Sequence, residues 1–167
     1  MLWLGMSRLF LPLLFLLAFS LQAADKPSLD EDGLGKLKLD LTAAEVTALL
    51  GKPESKGEDV EWGATGEWVQ EWSFKTQGLV LNMASAKKGG AKRLLSITAT
   101  PPCKLSTARG IHIGSSLKEV SKAYGDVQEK EQSRPGESFV AGSLFGGIIF
   151  DLKQGKVSEI FIGAAAE

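Results

Sequence analysis

The chain holds one histidine, His112, and one cysteine, Cys103, and these two side chains set a ceiling on its chemistry. A Ser-His-Asp triad or a Cys-His pair would have to draw on His112. That residue lies in Ile111-His112-Ile113, where strand alternation puts its ring opposite two apolar neighbours, as for a solvent-side histidine. Zinc ligation by cysteine and histidine lacks the ligands, and no cofactor of any kind is expected. Asp40, Glu45, Glu61, Glu67 and Glu71 remain as acid–base candidates, because the carboxylates of a glycosidase meet only in three dimensions. Gly114-Ser115-Ser116 opens a predicted helix whose free amides would suit an anion. The hydroxyl and acid that follow are expected to occupy that end themselves. So few reactive groups point away from an enzyme; a periplasmic hydrolase is the catalytic alternative.

Binding is the other chemistry on offer. Three of the four tryptophans fall in the dipeptides Glu61-Trp62, Glu67-Trp68 and Glu71-Trp72. Over Glu67 to Lys75 the alternation predicts a strand with Trp68, Trp72 and Phe74 on one side. Facing away from the helices, that side would form an aromatic platform rimmed by acids, of the kind found at binding hot spots. Facing the helices, the same rings are core. Trp62, Trp68, Trp72 and Phe74 are the partner-contact candidates under the first alternative. Ala86 to Arg93 reads as a basic, glycine-rich hairpin tip, without the strand–loop–helix context of a phosphate cradle.

The elements that must position these residues belong to a chain of 167 residues, enough for one or two small domains. Nineteen basic side chains against twenty acidic ones lack the footprint of a nucleic-acid binder or a polybasic membrane anchor. Residues 1–23 read as a secretory signal: Arg8, then an uncharged run from Leu9 to Leu21, then small-residue cleavage after Ala23. The run is short for a span, which takes roughly 20 apolar residues. The expected product is exported, periplasmic or secreted, without a stable span after processing. Residues 24–36 follow as a flexible mature N-terminus, with a possible turn of helix near Leu29.

The chain then repeats itself at an offset of 74 residues. Leu37/Leu39 answers Ile111/Ile113; the capping boxes Thr42-x-x-Glu45 and Ser116-x-x-Glu119 answer each other; Gly51 and Gly125 close two short helices as left-handed stops. Strands are predicted over Leu79 to Met83 and Leu94 to Thr100 in the first copy. The second offers Ser138 to Phe145, a turn at Gly146-Gly147, then Ile148 to Leu152, a turn at Gln154-Gly155, and Lys156 to Ile162. Phe139 and Phe145 stand there where the first copy has tryptophan. The expected fold is α+β: two tandem units of one short helix and three or four antiparallel strands, residues 37–100 and 111–167, with 101–110 as linker and the helices packed on one sheet face.

This pattern of Leu41, Thr42, Glu45, Val46, Leu50, Gly51, Lys52 and Pro53, answered by Ser116, Glu119, Val120, Tyr124 and Gly125 and ending in Gly155-Lys156-Val157 with Ile160, resembles two exported families. They are the beta-lactamase inhibitory proteins and the SmpA/OmlA outer-membrane assembly lipoproteins. The resemblance implies short helices on an antiparallel sheet, and it carries over no functional residue. Cys103 alone cannot form the inhibitor's disulfides, and no cysteine follows the signal to be lipidated. The functional expectation is an exported, non-catalytic protein-binding or inhibitory module that uses a sheet face and hairpin tips against another envelope or extracellular protein. An envelope-assembly or structural accessory role is the alternative.

Overall fold

The computed structural model describes Ser28, Leu29, residues 32–63 and residues 65–164. The signal and its cleavage point lie outside the described residues, as do residues 24–27. Two helices, α1 (Ala43–Leu50) and α2 (Leu117–Tyr124), start at the predicted caps. In α1 the Thr42 amide donates to Glu45 Oε2 at 2.8 Å and the Glu45 amide donates to Thr42 Oγ1 at 3.3 Å. In α2 the Ser116 amide donates to Glu119 Oε2 at 2.7 Å and the Glu119 amide to Ser116 Oγ at 3.3 Å. Ser116→Ala removes the acceptor for an otherwise orphaned amide and is expected to cost about 1 kcal/mol in urea denaturation.

Eight strands form one antiparallel sheet: β1 (Ser55–Lys56), β2 (Val60–Trp62), β3 (Glu67–Phe74), β4 (Leu79–Ser85), β5 (Arg93–Ala99), β6 (Ser138–Ser143), β7 (Gly146–Lys153) and β8 (Lys156–Gly163). Their order is β1-β3-β4-β5-β8-β7-β6, with β2 also paired to β3. The fold is therefore α+β, with two helices and a single sheet. The seam between β5 and β8 is short: Ile97 faces Ile162, Thr98 faces Phe161 and Ala99 faces Ile160. Each of the β4–β5 and β7–β8 pairs carries a bulge, at Asn82/Met83 and at Asp151/Leu152.

The period of two sorts the strand residues onto two faces. Trp72, Phe74, Leu79, Leu81, Ile97, Ile160, Ile162, Ile148, Phe150 and Phe139 are buried in one cluster with Val46 of α1 and Val120 and Tyr124 of α2. Each helix thus contributes side chains to this cluster, which shelters elements too short to hold their shape alone.

Two local expectations need correction. Gly51 does stop α1 with φ +84°, but Gly125 keeps φ −61° and the chain runs on into a 3-10 turn, Gly125–Val127. The β6–β7 turn falls at Leu144-Phe145, and Gly146-Gly147 open the strand instead. A Cβ on Gly147 would stand 2.3 Å from the Ala141 carbonyl oxygen, so glycine serves close strand approach there. Within 24–36 the stretch from Asp32 is held down: Leu34 is buried and bridges both Leu37 and Thr107. The predicted linker 101–110 is packed as well, with Cys103 only 4% exposed and Thr107 buried.

Candidate functional site

Trp68, Trp72 and Phe74 do share one side of β3, and that side faces the core cluster. Trp72 is 3% exposed and Phe74 1%, both inside the core cluster. These two candidates are withdrawn from the surface, so a platform of three rings on β3 is not presented to solvent. Trp72 Nε1 donates to Gln70 Oε1 at 2.8 Å, and Lys56 Nζ, directly across from it on β1, lies 3.8 Å from its ring centroid. Trp68 is half-buried with Lys88 Nζ 5.4 Å from its ring, and Trp62 is half-buried on β2. Of the four partner-contact candidates, Trp62 and Trp68 keep some access to solvent.

Of the acid–base candidates, Asp40 and Glu67 meet through Arg93, and the others stand apart. Glu45 belongs to the α1 capping box, where bonds from the Thr42 amide and hydroxyl hold its carboxyl below the usual range. Arg93 binds Glu67 through both carboxylate oxygens, at 2.9 and 3.0 Å, and reaches Asp40 at 3.1 Å. Glu61 and Glu71 are exposed. His112 is exposed, its Nδ1 2.9 Å from the Ile113 carbonyl oxygen. It lines a shallow depression with Cys103, yet among the described residues no hydrogen bond joins the two. The start of α2 is likewise occupied: beyond the capping box, the Leu117 amide donates to the Gly155 carbonyl at 3.0 Å.

The face of the sheet opposite the core cluster has a continuous cross-strand row. Ser73 faces Val80, Val80 faces Thr98, Thr98 faces Phe161, Phe161 faces Ile149 and Ile149 faces Val140. Val80, Thr98, Phe161 and Ile149, in its middle, are half-buried, while Ser73 and Val140 at its ends are buried. Register also sets the β4–β5 tip and the β6–β7 turn at one end of the sheet, where Phe145 is 73% exposed. The Arg93–Glu67–Asp40 ion group lies at that end of the sheet.

At the opposite end Asp151 of β7 and Glu159 of β8 face each other across the ladder. They and Lys153, Ser158, Thr100 and Pro101 line a depression of about 450 Å³. Burial, and then the neighbouring Asp151 charge, push the Glu159 carboxyl above the ordinary range, with Lys153 pulling weakly the other way. Like charges directly opposite in a sheet are destabilising. A raised folded pKa means that the contribution of Glu159 to stability is full below the ordinary glutamate range and is lost as pH rises through the folded pKa. Glu159→Gln is therefore expected to stabilise the fold by about 0.2–1 kcal/mol at pH 7. The gain should vanish in denaturation curves taken below pH 4, a value near the unperturbed glutamate pKa of about 4.3. Glu45, Glu54, Asp59 and Glu119 carry shifts of the other sign, from donors at Thr42, Thr76, Lys92 and Gly89, and Ser116. Their stabilisation is present above the ordinary carboxylate range and is lost as pH falls through the folded values.

Sequence reasoning singled out neither the uncovered row nor the acid pair. The alternation in each strand was available, but it does not say which strands become neighbours. Compared with protein-family models, curated proteins and solved structures, the chain matches none.

Proposed function

We propose that this protein is an exported, non-catalytic binding module whose working surface is the uncovered sheet face together with the turns at its edge. The observation that carries the reading is the Val80–Thr98–Phe161–Ile149 row, an apolar band in the middle of a six-strand surface that no described helix covers. Exposed Phe145 extends the apolar surface at one end. His112 and Cys103 share a depression without a hydrogen bond between them, and Asp40 and Glu67 are neutralised by Arg93, which supports binding over chemistry.

The reading includes an architecture of two related units, in line with the resemblance to the beta-lactamase inhibitory and SmpA/OmlA families. Its support is a set of correspondences beyond the caps. Asp40 and Gly114, 74 residues apart, both have positive φ, +65° and +93°. Their amides donate to Leu94 and Val157, and the amides of those two residues donate to Leu41 and Ser115. The two bulges occupy matching places in their strand pairs. Under this correspondence a pseudo-dyad passes through the Thr98–Phe161 pair, the middle of the row.

A photo-crosslinking amino acid at Thr98, and separately at exposed Lys118 on α2, distinguishes the surfaces. In the native host, Thr98 is expected to give an adduct of discrete mass with another protein and Lys118 none. Adducts of equal yield from both positions, or none from Thr98, would reject the sheet face as the working surface.

A further inference from the structure

We draw no further inference here: the strongest candidate, the exposed patch at the end of the sheet that carries Phe145 of the β6–β7 turn and Lys87 and Lys88 of the β4–β5 tip, is an unpartnered surface, and nothing in the structure shows what covers it.

Discussion

Replacing Asp32 with alanine is expected to lower stability by about 3 kcal/mol or more, since each donor left unsatisfied in the interior costs about 1–3 kcal/mol. Asp32 is 4% exposed and ties three segments together. Its Oδ1 accepts from the Gly33 amide at 2.9 Å and the Ala108 amide at 2.8 Å, while Oδ2 accepts from the Tyr124 hydroxyl at 2.5 Å. Tyr124 is fully buried, and desolvation followed by the bond to Asp32 holds its hydroxyl pKa well above the normal tyrosine range. The Arg109 guanidinium covers its ring at 4.8 Å and donates to the Ala123 carbonyl and to Asp126. Alanine at position 32 removes the carboxylate that accepts from all three donors. Asp32→Asn retains an acceptor for the two amides and should be the milder change. Urea denaturation measures both, and amide exchange at Gly33 and Ala108 should accelerate in the alanine variant. A midpoint unmoved by Asp32→Ala would mean that the residues around position 32 are not bound to the domain as described.

Trp72→Ala is expected to cost about 3–5 kcal/mol, the usual range for truncating a large buried aromatic. The ring is in the core, its indole nitrogen is satisfied by Gln70, and little water can reach the space it would vacate. Trp68→Ala, at a half-buried site beneath Lys88, should cost far less. The pair separates packing from recognition. Loss of partner capture in Trp72→Ala would follow loss of the fold, so Trp62 and Trp68 are the tryptophans whose truncation reports on a partner. Equal denaturation midpoints for wild type and Trp72→Ala would place that ring at the surface after all.

Local signals carried the helices and most strands. Thr42-x-x-Glu45 and Ser116-x-x-Glu119 mark the helix starts because a capping box is a short-range hydrogen-bond pattern complete within four residues. The strands were readable from alternation, and β3 and β4 are joined by a 3-10 turn, Lys75–Gln77, that ends on Gly78 with φ +67°. Gly146-Gly147 misled for a physical reason: glycine marks close backbone approach as well as turns, and position 147 needs the former. The acid pair was hidden by a bulge. Counting back from the Lys153–Lys156 pair at the hairpin turn, a regular ladder would set Asp151 against Ser158; the bulge after Asp151 advances the register so that Glu159 faces it. The apolar row was hidden more deeply, because Val80, Thr98, Ile149 and Phe161 become neighbours only once β5 pairs with β8 across the seam. No pattern within either half of the chain encodes that pairing.

The seam also dictates a timetable for the newborn chain. β5 is an interior strand of the finished sheet, yet its second neighbour, β8, leaves the ribosome only after β6 and β7. Until residues 156–163 emerge, Ile97 and Ala99 lie on an unpaired edge that any extended polypeptide can extend. Such late, long-range closure slows folding and lengthens exposure to aggregation. Nascent chains stalled before β8 should therefore be chaperone clients, and chains released after it should not.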